Sequence, residues 1–258
     1  MGSPLRKPIM KAFLIAFAVL VLGALATIAA VSFARNAPIG ELVREDRPAT
    51  GFHRLEINGV VEVTLVQGTA EGVTVEAPSS MLRRVRTEVH DGTLTIDATE
   101  QRGRWQWFSG RRGSRTPRIT VNLREVDRIE AAGTVTVAAD SLKAGELRLD
   151  LAGACSLKIG DLQATTLRLD GSGAIKANVA GKVQRQRIDL SGAGSFQASK
   201  LASDEAVIEV SGAGKAVVNA ANSLEVDISG AGAVEYLGDP KVKQSISGIG
   251  KVRRRGPS

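Results

Sequence analysis

A four-residue phrase, Ser-Gly-Ala-Gly, recurs through the second half of this chain of 258 residues. It stands in full at residues 191–194, 211–214 and 229–232, and altered versions come before and after these. The glycines that anchor it lie 18 to 20 residues apart and are Gly133, Gly153, Gly173, Gly192, Gly212, Gly230 and Gly248. A nearly constant period of this length is typical of a solenoid, in which one supersecondary unit stacks on the next.

The residues before each repeat glycine alternate between apolar and charged types. Positions are numbered here from that glycine. Position −4 is apolar in six repeats: Ile129, Leu149, Leu169, Ile188, Ile208 and Val226. In the same six repeats position −2 is mostly apolar, position −3 is acidic, and apolar residues return at position +4. Alternation with a period of two predicts strands with one buried face, so each repeat supplies at least two short strands.

The small residues at the bend explain the phrase without any ligand. Glycine permits a positive φ and a close approach of backbones, and serine and alanine leave room for the next layer. The sequence therefore predicts an all-β protein, a single right-handed parallel β-solenoid of about 20 residues per turn. Its regular repeats are expected over residues 126–252.

The first half of the chain also shows a β pattern from Gly51 onward. Residues 55–59 match the later repeats, with Gly59 at the repeat position, which suggests a degenerate, capped start of the same stack. Asp91-Gly92 predicts a hairpin turn, and residues 78–86 are the one candidate for a short helix. We therefore expect one β-solenoid domain over residues 51–255.

The N-terminus predicts export from the cytoplasm. Residues 12–31 carry no charge and are long enough to cross a bilayer as one hydrophobic helix, and Arg6, Lys7 and Lys11 precede them. Residues 1–34 are then a signal anchor or, with a small-residue cleavage site at 32–34, a signal peptide. Residues 35–50, polar with two prolines, are expected to be a linker. The domain would face the periplasm from a single-pass inner-membrane anchor, or be released after cleavage.

Composition and motifs give no sign of catalysis or of a cofactor. The chain has one cysteine and two histidines, which excludes an intrachain disulfide and a thiolate metal cluster. No known spacing of nucleophile and base, zinc-protease motif or nucleotide-binding loop occurs. The net charge of +7 is too mild and too spread out to favour nucleic acid as a partner. We predict no catalytic, cofactor-binding or metal-binding residue.

Charged residues form two predicted columns on the outward face of the repeats. The acids at position −3 are Glu130, Asp150, Asp170, Asp189, Glu209 and Asp227. Arginines at position −5 are Arg128, Arg148, Arg168 and Arg187. Neighbouring columns of opposite charge can pair diagonally, so a self-compensated, solvated face is expected. Val207 and Glu225 break the arginine column, which directs any cation preference toward the C-terminal repeats.

The segment 101–117 stands apart from the repeats. It holds both tryptophans of the protein among several arginines. The candidate surface-contact residues are Arg102, Arg104, Trp105, Trp107, Phe108, Arg111 and Arg112. Basic residues interleaved with aromatic ones suit anionic surfaces, and in an exported protein these would be a lipid surface or an anionic glycan. A loop whose tryptophans pack on the domain is the structural alternative.

The chain resembles the autotransporter-adhesin head GIN domain family of bacterial envelope proteins. The resemblance covers residues 51–252 and rests on Phe52-His53-Arg54-Leu55-Glu56-Ile57-Asn58-Gly59, on Asp91-Gly92-Thr93-Leu94-Thr95-Ile96 and on the serial Ser-Gly-Ala-Gly phrases. It implies a signal or anchor followed by a β-solenoid without established enzymatic activity. The family supplies no functional residues to carry over.

The expected function is that of a non-catalytic cell-envelope module, an adhesin or a structural binding domain. Two alternatives stay open: a polysaccharide-acting lyase or hydrolase, and a membrane-proximal subunit that binds a partner. Expected partners are the membrane through the N-terminal helix, an anionic glycan, a lipid surface or another envelope protein. The open ends of a solenoid also allow a homo-oligomer.

Overall fold

The computed structural model describes residues 41–99 and 116–256, and these are almost entirely β. The strands are β1 (Leu42–Arg47), β2 (Arg54–Gln67), β3 (Gly72–Pro78), β4 (Arg86–His90), β5 (Thr93–Ala98), β6 (Arg118–Leu123), β7 (Arg128–Gly212), β8 (Lys215–Gly230), β9 (Ala233–Leu237), β10 (Lys241–Gly248) and β11 (Lys251–Arg254). One short helix, α1 (Ser79–Leu82), follows β3. The predicted all-β class is confirmed.

Parallel pairing brings equivalent positions of the repeats together. Strand β2 pairs with the start of β7 so that Gly59 lies beside Gly133, and Phe196 of β7 pairs with Ala216 of β8. Later, Ile208 pairs with Val226, a step of 18 residues in place of 20. All strands belong to one open sheet with the main order β1-β3-β6-β2-β7-β8-β9-β11. The handedness and turn length of the predicted solenoid stay predictions.

The glycine bends stack directly on one another. Gly153 has φ +93°, and a Cβ placed on it would lie 2.6 Å from the carbonyl oxygen of Gly133. Gly212 has φ +124° and approaches Gly192 equally closely. A side chain at these positions would strain the backbone and collide with the neighbouring repeat. The phrase is therefore a stacking requirement, as predicted.

The core is a continuous apolar column inside the stack. The position −4 side chains from Ile129 to Val226 are buried, and so are those at position +4, such as Val137, Phe196 and Val234. Burial follows the period-two alternation because successive side chains of a strand point to opposite faces. The predicted inward face is confirmed.

The N-terminal part adds antiparallel strands to the parallel stack. The predicted hairpin is present: β4 and β5 are antiparallel, and Asp91 and Gly92 both have positive φ. The predicted short helix at 78–86 is present as α1. Part of the predicted linker 35–50 is wrong, however, since β1 pairs antiparallel with β3. The mixed charges of this segment gave no indication of a strand. Val43 of β1 packs against the core, and Ala49, just after the strand, is buried in it.

The predicted N-terminal hydrophobic helix at 12–31 lies outside the described residues. Among residues 41–99 and 116–256, no helix is both long enough and apolar enough to cross a membrane.

Candidate functional site: the acidic groove

The predicted contact residues Arg102, Arg104, Trp105, Trp107, Phe108, Arg111 and Arg112 lie outside the described residues. Their assignment stays a prediction. Within the described residues, a groove lies elsewhere, on the charged outward face of the repeats.

Two columns of charge run along that face. The acidic column consists of the position −3 side chains: Glu56, Glu130, Asp150, Asp170, Asp189, Glu209 and Asp227. The arginine column consists of the position −5 side chains: Arg54, Arg128, Arg148, Arg168 and Arg187. Positions −4 and −2, which alternate with the charged positions along the strand, are buried. Both columns therefore point outward, because successive side chains of a strand point to opposite faces.

The first five acids of the acidic column line a groove with a volume of about 400 Å³. Small side chains from position −1, among them Ala132, Ala152, Ser172 and Ser191, also line it. The groove exists because the bends carry glycine, serine and alanine, which fill little space beside the longer carboxylate side chains. We call this surface the acidic groove.

The arginines join successive repeats through the acids. Arg128 lies 2.8 Å from the carboxylate of Glu130 in its own repeat and 2.9 Å from that of Asp150 in the next. Arg148 lies 3.1 Å from Asp150 and 3.3 Å from Asp170. The predicted diagonal pairing is thus confirmed, and it makes a ladder of ion pairs that neutralises most of the groove's acids.

The ladder keeps Asp170 ionised. Partial burial would raise the pKa of Asp170, but the hydrogen bond and charge of Arg168, with Arg148 behind it, lower that pKa below its ordinary value. The same hydrogen bond raises the pKa of Arg168. A carboxylate held in this way does not exchange protons near neutral pH, which suits a fixed binding surface and does not suit general acid catalysis.

Acidic side chains beyond the end of the arginine column at Arg187 are also neutralised by ion pairs. Arg187 reaches forward to Glu209, and Lys243 reaches back to Glu225 at 2.6 Å, which lowers the pKa of Glu225. Asp189 and Asp227 have no ion pair within the described part of the chain. In that same part, no group of three His, Cys, Asp or Glu side chains could hold a metal ion.

The histidines and the cysteine have structural surroundings. His53 lies 3.8 Å from Asp127, and His90 lies 3.0 Å from Asp91 in the hairpin turn. Cys155 is buried, as predicted, and burial raises the pKa of its thiol. A buried thiol with a raised pKa is a poor nucleophile.

Sequence reasoning missed a second, smaller groove of about 250 Å³ at the N-terminal end of the sheet. Arg44, Glu62, Thr74, Glu76 and Arg118 are among its lining residues, and Arg118 lies 3.3 Å from Glu62. It was missed because Arg44 was assigned to a linker. Arg44-Glu45-Asp46-Arg47 is charged throughout, so it has no apolar alternation from which an edge strand could be predicted.

Comparison with known proteins agrees with this architecture. The model of the family described as "Putative auto-transporter adhesin, head GIN domain" matches residues 51–240. The structure of a putative adhesin from Bacteroides fragilis NCTC 9343 is similar with a TM-score of 0.77 at 20% identity, over 83% of this chain and 97% of that one. No curated protein matches the chain.

Two further solved structures share the fold. A putative adhesin from Parabacteroides merdae ATCC 43184 has a TM-score of 0.63 at 19% identity, over 84% of this chain and 97% of that one. A protein from Parabacteroides distasonis ATCC 8503, named as a putative lipid binding protein, has a TM-score of 0.65 at 18% identity, over 84% of this chain and 98% of that one.

Proposed function

Since the chain belongs to the family of head GIN domains of putative auto-transporter adhesins, we propose that it is a non-catalytic binding module of the cell envelope. The observation that carries this proposal is the ion-pair ladder of the acidic groove. Arg148 and Arg168 hold one of its carboxylates, that of Asp170, in the ionised form, because they keep its pKa below the ordinary value. Such a surface can contact a ligand without transforming it.

The proposed location is outside the cytoplasmic membrane. Support comes from the uncharged residues 12–31 with basic residues before them, which suit an anchor or a signal peptide. The adhesin description of the family agrees with display on the envelope. The proposed form of the domain is a right-handed solenoid of about 20 residues per turn, supported by the parallel pairing of Phe196 with Ala216.

The proposed ligand class is an anionic surface, either a glycan or a lipid headgroup layer, contacted by the Arg/Trp segment 101–117. The support is its composition, with both tryptophans among several arginines. Because the similar Parabacteroides distasonis protein is named as a lipid binding protein, a lipid surface should be tested as a ligand together with glycans.

A binding experiment with the full chain tests this function. The protein is applied to an array of neutral and acidic glycans and to vesicles with and without an anionic lipid. We expect binding to an anionic partner, and the double variant Trp105→Ala, Trp107→Ala should weaken it. The matched control is Val60→Ala, Val66→Ala, which removes two exposed apolar side chains from β2.

Turnover is measured in the same samples. We expect no product from acidic or neutral polysaccharides during prolonged incubation. Release of oligosaccharide that is abolished by Asp170→Asn or Asp227→Asn would show an enzyme and would overturn the non-catalytic function.

A further inference from the structure

The C-terminal end of the stack has an unpaired strand. β10 pairs with β8 on one side, and within the described residues it has no neighbour on the other. All eight residues of β10 are exposed. An edge strand of this kind presents free backbone donors and acceptors that another strand can use.

Three exposed apolar side chains lie at this end. Val242 is 39% exposed, Ile246 is 40% exposed and Ile249 is 86% exposed. Ile246 occupies position −2, which faces the core in the preceding repeats, so the last repeat leaves the end of the core partly uncovered. A further strand placed on β10 would cover it.

The charge of this end indicates what kind of strand fits. Every charged residue after Asp239 is basic: Lys241, Lys243, Lys251, Arg253, Arg254 and Arg255. Lys241 and Lys251 have no ion pair within the described part of the chain. A second copy docking through the same end would bring these basic groups together, so self-association of this kind is disfavoured.

A lipid surface fits this end less well than a peptide does. Hydrocarbon offers no hydrogen-bond partners, and a bare strand edge buried in it would leave backbone groups unsatisfied. A peptide strand satisfies those groups and can also bring carboxylates to the lysines.

The neighbour that β10 already has shows the required chemistry. Residues 223–230, Ser-Leu-Glu-Val-Asp-Ile-Ser-Gly, pair in parallel with β10, so that Glu225 lies beside Lys243 and Ile228 lies beside Ile246. We propose that the free edge of β10 is a docking site for an extended peptide strand of a partner protein, in which acidic and apolar side chains alternate as they do in β8. This inference is independent of the proposed anionic-surface function.

The test uses a fluorescein-labelled peptide with the sequence of residues 223–230 and the full-chain protein in a fluorescence anisotropy titration. We expect saturable binding that weakens with added salt. Lys241→Gln with Lys243→Gln should weaken it about tenfold, because in the register of the β8 pair the peptide's Glu would lie beside Lys243 and diagonally across from Lys241. Lys243 has only an exposed ion pair with Glu225 and Lys241 has none in the described part, so this variant is expected to fold. Lys182→Gln with Lys200→Gln, two exposed lysines of β7, is the matched control and should bind like the parent protein.

Two peptide controls decide the mode of binding. A peptide with lysine in place of its Glu and Asp should not bind, and neither should a peptide N-methylated at alternate amides, because it cannot pair as a strand. Equal binding of either control peptide would overturn the proposal, as would the absence of any peptide binding.

Two other results would show a different occupant of the edge. If the protein alone dimerises as its concentration rises, and Ile246→Lys abolishes the dimer, the occupant is a second copy of the chain. Binding to anionic vesicles that the lysine variant weakens, without peptide binding, would show a lipid surface.

Discussion

Arg128 joins two repeats by placing its guanidinium 2.9 Å from the carboxylate of Asp150, a residue 22 positions later in the chain. The same guanidinium also lies 2.8 Å from Glu130 of its own repeat. Each arginine that does this ties one layer of the stack to the next on the surface, in parallel with the core beneath. The charged columns therefore stabilise stacking as well as shaping the groove.

Removing one member of this ladder should lower stability modestly. Arg148→Gln leaves Asp150 and Asp170 each with one fewer cation, and we expect the free energy of unfolding to fall by about 0.5–1 kcal/mol, because the pairs are partly exposed. Urea denaturation measures the change. The loss should shrink in high salt. Lys158→Gln, an exposed lysine without an ion pair in the described part, is the control, and an equal loss there would contradict a role for the ladder.

Acid should weaken the stack through Asp170. Its pKa in the folded protein lies below the ordinary value, so the unfolded chain binds the proton more tightly. The stability that Asp170 contributes is therefore complete above about pH 4 and is lost as the pH falls through the lowered pKa. The difference in melting temperature between the parent and Asp170→Asn should be largest near neutral pH and should narrow below about pH 4.

The control for this pH series is Asp140→Asn, a change at an exposed aspartate without an ion pair in the described residues. It should leave the pH profile of the melting temperature unchanged. A difference for Asp170→Asn that is constant between neutral pH and pH 2 would show that its effect is not electrostatic.

The stacked glycines should tolerate no side chain. In Gly153→Ala the new Cβ would meet the carbonyl of Gly133 at 2.6 Å, and φ is +93°. We expect a loss of at least about 2 kcal/mol in the free energy of unfolding. Gly145→Ala is the matched control, because a Cβ there meets nothing within 4 Å, and its stability should be equal or slightly higher. Similar melting temperatures for the two variants would refute the stacking requirement.

A buried glutamine offers a route to higher stability. Gln186 occupies the position held by the fully buried Leu147 and Leu167 in the two preceding repeats. Its Nε2 donates to the Oγ of Ser203 at 2.8 Å, but its Oε1 is buried without a hydrogen-bond partner in the described structure. We expect Gln186→Leu to raise the free energy of unfolding by about 1 kcal/mol, because an unsatisfied polar group is replaced by an apolar one of similar size.

Ser203→Ala is the counterpart of this change. The Ser203 hydroxyl donates to the backbone oxygen of Asn219 at 2.7 Å, next to a shift in register between β7 and β8. Its removal should cost about 1 kcal/mol, since that carbonyl then keeps only the longer hydrogen bond from Gln186 Nε2, at 3.5 Å. Chemical denaturation of both variants measures these two changes in the free energy of unfolding. A lower stability of Gln186→Leu would show that the glutamine is needed at the register shift.

Local pattern was enough to predict most of the fold. The positions of Ile129 and its equivalents predicted the buried face, and Asp91-Gly92 predicted the hairpin turn, because alternation and turn chemistry act within a few residues. Strand β1 was missed for the opposite reason. Its last four residues, Arg44 to Arg47, are all charged, and pairing with β3 from Gly72 to Pro78 makes the segment a strand.

The candidate site was predictable in its residue types and only partly in its pairing. The two charged columns follow directly from positions −5 and −3. The pairing of Arg187 with Glu209 and of Lys243 with Glu225 crosses from one repeat to another, where the arginine column is already interrupted. Such pairs depend on how far each side chain reaches after stacking, which no local pattern records.

The sequence by itself determines the repeating unit of a small-residue bend and alternating strands. The reason is that the backbone freedom of glycine and the alternation of side chains between the two faces of a strand are local properties. Three features depend on residues brought together from distant parts of the chain. These are the arginines that bridge successive repeats, the polar Gln186 within the apolar column, and the uncovered basic edge at β10. Stacking creates each of them, since the energies involved come from contacts between layers about 20 residues apart in the chain.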